Sequence, residues 1–511
     1  MLDYLPQIID TIFNPATLFY MLLGVSIGII GGCLPGINAA ICVALTLPLT
    51  YGMPASRALI MLAAIYTGAM YGGGTTAALC AVPGTPAAAA TVVDGYPLTQ
   101  KGKGREACGI VTLASACGGM IGALILLFLA PPIGRFSLNF VCAEYFLISI
   151  FALLLIAPLS GDSMAKGIFT AALGLFLGTI GFDAVDLSNR FTFGLLSLEE
   201  GLETIPVLVG AFSISQCLIL AYNARNGKNG ILDDPSKALT GKMLPPFSEI
   251  KKLIWPIIRS GLIGTGVGII PAAGNSIAAW IAYTVGKGSS KHPEEFGQGC
   301  YEGVACPESA NNACAGGALI PMFTLGVPGS GVTAILLGGM LIHGLQPGAS
   351  LFSGAQAATA YSMFVGYLIS NMFILVIGLV FCKYLAKVST VPNDTLCPVI
   401  ICLAMIGTYS IRSNLFDIIV LLVFGVIGIL FKKYGFPIPP LVLGFVLSDI
   451  CELNFRRCLV LKRDMTLFQY FCSRPICLVL MILIVISLFF PLISNFVSKY
   501  YQQKKADALK Q

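Results

Sequence analysis

Of 511 residues, 56% are hydrophobic and only 11% are Asp, Glu, Lys or Arg, whereas a soluble globular domain carries about 25% charged residues. So few charges cannot cover a water-soluble surface. The net charge of +6 does not mark a nucleic-acid patch, because the Lys and Arg residues are scattered over loops, where they act as topology determinants.

The apolar residues lie in long runs, and about 20 residues take a helix across the hydrocarbon core. In chain order the plainest are a first span near 17–34, then 107–131, 204–222, 355–382 and 473–495. The pattern predicts an all-α polytopic membrane protein with roughly ten to thirteen membrane segments, several of them short and broken by Gly and Pro. The first residues, with Asp3 and Asp10, lack the positive n-region and small-residue cleavage site of a signal peptide, so the first span is expected to be retained. Lys101, Lys103 and Arg105 mark one cytoplasmic loop; Arg225, Lys228, Lys237, Lys242, Lys251 and Lys252 mark another. Between them, Asp183, Asp186, Glu199, Glu200 and Glu203 stand against a single Arg190, which suits the periplasmic side, and four spans between the basic loops satisfy this pattern. Over 432–472 the rule conflicts with itself, since Arg456, Arg457, Lys462 and Arg463 follow Lys432 and Lys433 after one short apolar segment. Most of the 17 Cys sit inside apolar runs and no Cys-x-x-Cys occurs, so they read as packing residues.

Two halves of the chain resemble each other. Gly72-Gly73 precede Val82-Pro83-Gly84-Thr85, and Gly317-Ala318 precede Val327-Pro328-Gly329-Ser330, with eleven positions from Gly72 to Pro83 and from Gly317 to Pro328. Upstream, Leu34-Pro35-Gly36-Ile37-Asn38 has a looser counterpart in Ile270-Pro271-Ala272-Ala273-Gly274-Asn275; downstream, Asp94-Gly95-Tyr96-Pro97 matches His343-Gly344-Leu345-Gln346-Pro347. Three matches in one order argue for duplication. The expected organisation is a first transmembrane repeat half over 1–222, a cytoplasmic linker over 223–252, a second half over 253–498 and a polar tail over 499–511.

Internal duplication with interrupted hydrophobic segments in corresponding places points to a secondary transporter. Pro removes a backbone donor and Gly tolerates unusual angles, so Pro-Gly ends a helix inside the membrane. Main-chain groups left unpaired there survive only inside protein or beside a watery cavity. Freed helix N-termini suit a carboxylate, and freed carbonyls suit Na⁺. The expected substrate-binding set is therefore Pro35, Gly36, Asn38, Pro83, Gly84, Thr85, Thr91, Asn275, Ser276, Pro328, Gly329 and Ser330. In the second half, Glu302-Gly303-Val304-Ala305-Cys306-Pro307-Glu308-Ser309-Ala310-Asn311-Asn312 runs straight into an apolar segment. Glu308 either coordinates a cation, takes up a proton or caps the helix after Pro307, and Asn311 and Asn312 need partners in hydrocarbon. Together with Asn38 and Asn275 these are the cation-coupling candidates. Glu144 and Asp94 read as structural partners. No Gly-x-x-x-x-Gly-Lys-Ser/Thr loop and no His-Glu-x-x-His occurs, and Asp233-Asp234 lies in the central loop rather than at a span. The sequence therefore speaks against nucleotide-driven transport, an intramembrane metalloprotease and an aspartate-rich lipid transferase.

At these residues the sequence resembles the large membrane subunit of the tripartite tricarboxylate transporters. The resemblance rests on Leu34-Pro35-Gly36, Tyr71-Gly72-Gly73, Pro83-Gly84-Thr85-Pro86 with Thr91 and Asp94-Gly95-Tyr96-Pro97, Arg190-Phe191-Thr192-Phe193-Gly194, Glu302-Gly303-Val304-Ala305, Pro307-Glu308, Ala310-Asn311-Asn312-Ala313 and Leu325-Gly326-Val327-Pro328-Gly329-Ser330. It implies a carrier driven by Na⁺ or H⁺ in a bacterial inner membrane, working with a small four-span membrane subunit and a periplasmic solute-binding receptor and needing no other cofactor. It also implies two inverted repeats with re-entrant helical hairpins that move by an elevator-like shift. Against the family pattern, Ala272 and Asn38 stand where Gly is common, and Gly74 where Ser is usual. The function expected is cation-coupled transport of small di- or tricarboxylates, with a passive anion channel or an intramembrane enzyme as the alternatives.

Overall fold

The computed structural model describes residues 4–34, 37–81, 83–136, 139–159, 163–183, 188–225, 242–270, 274–388 and 393–487. A short helix α1 (Leu5–Phe13) leads into α2 (Pro15–Cys33), whose N-terminus is capped by Asn14 with Pro15 at the first helical position; proline fits there because that amide has no helical partner. Next come α3 (Ala39–Thr46), tightening into a 3₁₀ turn at Leu47–Thr50, α4 (Ala55–Cys80), α5 (Ala89–Leu98) and α6 (Gly104–Phe136). The π-turn Thr99–Lys103, bent at Gly102 with φ 76°, joins α5 to α6. The middle of the chain holds α7 (Cys142–Leu159), α8 (Met164–Gly178), an antiparallel pair β1 (Gly181–Asp183) and β2 (Ser188–Arg190), α9 (Leu196–Glu199), α10 (Thr204–Val209) and α11 (Ser215–Arg225). Then follow α12 (Phe247–Ile269), α13 (Gly274–Ser289), α14 (Tyr301–Leu325), α15 (Gly331–Ile342), α16 (Gly354–Val388), α17 (Asn393–Arg412), α18 (Leu415–Tyr434), α19 (Ile438–Leu461) and α20 (Leu467–Cys472). A last apolar helix, α21, covers Pro475–Ser487.

The protein is thus an all-α, multi-pass membrane protein. Among the described residues, seven helical stretches are long and apolar enough to cross a bilayer, and six shorter apolar helices accompany them. The sequence count of ten to thirteen segments took both kinds together, because a half-length helix beside a Pro-Gly break carries the same composition as a full span. Large apolar side chains such as Phe128, Trp255, Val376 and Ile419 are exposed, as a lipid-facing surface requires.

Packing groups the helices into two units, each discontinuous in sequence. The larger comprises 1–138 and 202–430. In it, α2 packs on α4 and α12 on α14 through small residues that let main chains touch. A methyl group at Gly28 would lie 2.3 Å from the Ile65 carbonyl oxygen, and one at Gly32 2.2 Å from that of Ala69; at Gly264 and Gly268 the distances are 2.2 Å to Ala310 and 2.3 Å to Cys314. Gly72 approaches Ile29 as Gly317 approaches Thr265. The register of the two sequence halves is therefore repeated in their contacts.

The smaller unit comprises 139–201 and 431–511, where α19 packs on α8 and α7. The Lys166 ammonium donates to the Tyr434 carbonyl at 2.5 Å, near the start of α8. Past the other end of α8, the Arg456 guanidinium reaches Asp183 at 2.7 Å and Glu452 at 2.8 Å, and Arg190 reaches Glu452 at 2.6 Å. The Arg190 guanidinium is held more firmly protonated, chiefly by its bond to Glu452. Hence α19 runs from the Lys166 end to the Asp183 end of α8, and Arg456 shares the end occupied by the acidic segment. The positive-inside pattern conflicts with itself over 432–472 because it counts charges singly, whereas Arg456 is neutralised by Asp183, distant in sequence, together with Glu452 one turn earlier on α19. Glu144 is likewise a structural partner, fully buried and bound by Arg474 at 2.5 Å.

Candidate functional site

Helices α4 and α14 form the axis of the larger unit: every residue from Ala58 to Leu79 and from Gly303 to Thr324 is buried. Each ends on a residue in the left-handed region, Ala81 at φ 56° and Gly326 at φ 72°, and a Pro-Gly break follows each. After α4, Gly84 and Thr85 are buried while Pro83 is exposed. The Gly84 amide donates to the Gly73 carbonyl at 3.3 Å, and a methyl group on Gly84 would stand 2.2 Å from the Gly32 carbonyl oxygen. After α14, Pro328 and Gly329 are buried, and Gly329 rests on Ala318 and the Gly268 carbonyl. Ser330 then starts α15 with a capping box shared with Thr333, which satisfies two amides that would otherwise be orphaned.

Polar side chains gather between these breaks. On α14, Glu308 is fully buried and accepts from the Thr91 hydroxyl of α5 at 2.5 Å and the Ser115 hydroxyl of α6 at 2.8 Å. Its carboxyl fills a notch made by Gly74, where a methyl group would meet both carboxyl oxygens at 2.4 Å; the Ser that the family pattern favours there would need that carboxyl to move. An isolated carboxylate in such surroundings is costly unless a proton or a cation neutralises it. One turn on, Asn275 donates to the Asn311 carbonyl at 2.8 Å and accepts from the Tyr66 hydroxyl at 3.4 Å, and Ser330 stands beside Tyr66. Asn312 accepts from Thr67 at 3.5 Å, and Thr67 reaches Asn371 of α16 at 2.7 Å. The Asn311 carboxamide, both polar atoms included, and the Thr85 hydroxyl are buried with no hydrogen-bond partner among the described residues.

The structure thus joins Thr91 to Glu308, Asn275 to Asn311, and Asn312 to Thr67. Thr85 packs on Gly73 and Ser330 lies beside Tyr66, both on α4 and seven residues apart, which is about 10 Å along a helix. The turn Pro86–Ala88 after the first break also packs on α13 and α14. Asn38 stands apart: its side chain accepts from the Ile41 amide at 3.0 Å and caps α3, so it does not mirror Asn275. Ser276 is half-buried on the first turn of α13. Pro35 and Gly36 lie outside the described residues. Asp94 and His343, matched in the sequence, also take different places, since Asp94 lies within α5 while His343 terminates α15.

Sequence reading passed over Tyr66, Thr67, Ser115 and Asn371, which take part in four of these six bonds. Asn371 carried the clearest signal, an amide inside a long apolar run. Ser115 and Thr67 carried none, because hydroxyls commonly bond their own helix backbone.

The profile of one family, described as the tripartite tricarboxylate transporter TctA family, matches residues 18–443. The chain belongs to this family. Among proteins similar to this TctA-family chain is an Agrobacterium vitis protein named "Uncharacterized 52.8 kDa protein in TAR-I ttuC' 3'region", 35% identical over 454 residues, which are 89% of each chain. Another from Agrobacterium vitis, "Uncharacterized protein in TAR-II ttuC' 3'region", is 37% identical over 206 residues, 40% of this chain and 85% of that protein. No solved structure matches the TctA-family chain. Membership makes it a multi-pass permease of the tripartite tricarboxylate transporter type.

Proposed function

We propose that this permease accumulates small di- or tricarboxylates by secondary transport coupled to Na⁺ or H⁺, in a bacterial inner membrane, with a small four-span subunit and a periplasmic receptor completing the system. One observation supports this reading of the site: the Asn311 carboxamide and the Thr85 hydroxyl are buried without hydrogen-bond partners among the described residues. Buried polar groups are nearly always paired, and each that is not loses about 1–3 kcal/mol. A carboxylate seated among them would accept from the Asn311 amide, the Thr85 and Ser330 hydroxyls and the amides at the breaks, while Glu308 would hold the neutralising proton or cation one turn away. Inverted repeats with re-entrant hairpins supply the geometry for alternating access, and the repeated glycine contacts of α2 with α4 and of α12 with α14 support that reading.

The test is uptake of labelled di- and tricarboxylates by cells carrying Thr85→Ala or Ser330→Ala. Each variant is expected to lower the initial rate about tenfold, the equivalent of one lost hydrogen bond to a charged ligand at about 1.4 kcal/mol. Full activity in both would remove the proposed site. A passive channel would conduct without saturation and without dependence on a second gradient.

A further inference from the structure

The two helices that follow the breaks are held very differently. Asp94, fully buried on α5, accepts from the amides of Gly297 at 2.9 Å, Gly299 at 2.8 Å and Cys300 at 3.0 Å, and from the Tyr283 hydroxyl at 2.9 Å. Gly297 and Gly299, both at φ 88°, turn successive amides toward one point, a backbone cup for an anion. The rest of the cup is equally close: a methyl group at Gly303 would lie 2.1 Å from an Asp94 carboxyl oxygen. This cup is the loop that leads into α14, and one turn earlier on α5 Thr91 grips Glu308 of the same helix. Thr99, at the end of α5, binds the Ala78 carbonyl of α4 at 2.8 Å. Hydrogen bonds to an ionised acceptor are about twice as strong as neutral ones, so α5 is fastened to α14 and α4 at three levels.

Among the described residues, α15 has no such fastening. Its capping box is internal to its first turn, Ser330 stands beside Tyr66, and His343 meets the Thr50 hydroxyl at 3.2 Å. Otherwise it rests on apolar surface, with Gly338 against Leu208 and Gly339 against Leu47 and Leu62. We infer that Asp94 is a positioning residue that fixes the arm bearing Thr85 and Thr91 onto the body bearing Glu308 and Asn311, so that α15 with Ser330 is the arm that swings to admit and release the carboxylate. This rests on the transport reading above; the anchoring itself does not.

Hydrogen exchange read by mass spectrometry on the purified full chain in lipid nanodiscs, with no ligand added, separates the two. Amides in 86–98 are expected to exchange at least about tenfold more slowly than those in 331–342, as local opening free energies differ between anchored and unanchored segments. Asp94→Asn keeps the size of the side chain but turns a donor toward the cup; it should speed exchange in 86–98 and 293–300 about tenfold and leave 331–342 unchanged. Tyr283→Phe, which removes one donor and spares the fold, should give the same pattern at smaller amplitude. Equal exchange of the two arms in the unaltered chain, or a rise spread evenly over all helices in both variants, would overturn the anchoring. In uptake assays with citrate, succinate and malate as probes, Asp94→Asn should lower the maximal rate with the half-saturating concentration within about twofold, since a positioning group acts on conversion rather than on uniform binding. An unchanged maximal rate despite the altered exchange would overturn the positioning role. If none of the probes is accumulated by the unaltered chain, the transport reading fails while the exchange result still decides the anchor.

Discussion

Asn311 carries a carboxamide that no other described residue satisfies, and the energetic sign of that defect is testable. Replacing it with Leu removes two orphaned polar atoms and keeps the branched shape, so Asn311→Leu should raise the stability of the empty permease by about 1 kcal/mol while abolishing uptake. Thermal unfolding in detergent beside an uptake assay checks both halves; a destabilised variant with normal uptake would mean the amide has an internal role. Gly74 is the complementary case, with space already occupied by the Glu308 carboxyl. Gly74→Ala should cost about 1–3 kcal/mol through overpacking and uncouple Glu308 from Thr91 and Ser115, measured as lost stability and lost uptake together. At this scale the sequence was only partly legible. Glu308, Asn311 and Asn312 stood out as polar residues beside an apolar run, but Ser115 and Tyr66 complete the cluster from helices whose composition says nothing of what they face.

Among elements, the breaks were legible because Pro and Gly change the backbone itself, independently of tertiary context. Their geometry was not, as the pair Ala81 and Gly326 shows: both sit in the left-handed region after a central helix, yet only one is glycine. A side chain there costs roughly 1–2 kcal/mol. Ala81→Gly should therefore stabilise the protein by about 1 kcal/mol, and Gly326→Ala should destabilise it by a similar amount or more, because a methyl group at 326 also meets Pro347 at 2.9 Å. Thermal midpoints of the two variants, moving in opposite directions, are the check. The helix crossings offer a matched contrast two residues apart. Gly264→Ala would drive a methyl group to 2.2 Å from the Ala310 carbonyl, whereas none of the described residues lies within 4 Å of one at Gly266. The first should cost several kcal/mol or prevent folding; Gly266→Ala should be neutral or gain up to about 1 kcal/mol from helix propensity. The mismatch of Asn38 with Asn275 marks the limit of reading function from repeats, since one amide caps a helix and the other bridges two.

For the whole molecule, composition alone settled a polytopic helical protein, because no packing can hide so much apolar surface from water. The direction of the last spans needed contacts. Asp183 is buried and gathers Arg456 and Arg190 at one end of the smaller unit, so the basic residues after α19 lie at the end of the acidic segment, which the charge pattern predicts to be periplasmic. A membrane-impermeant maleimide should accordingly label Arg463→Cys from outside and Lys432→Cys only after the membrane is opened; the reverse pattern would invert the assigned topology. The claim that organises every level is that carboxylates move through the polar seam between the two breaks at the expense of a cation gradient. It is tested most directly by measuring accumulation of labelled di- and tricarboxylates in proteoliposomes holding the permease and the small subunit proposed for it, with the proposed receptor outside, while Na⁺ and proton gradients are imposed or collapsed one at a time. Accumulation above the external concentration is expected with one of the gradients and none when both are collapsed. Accumulation that persists after both are gone would contradict it.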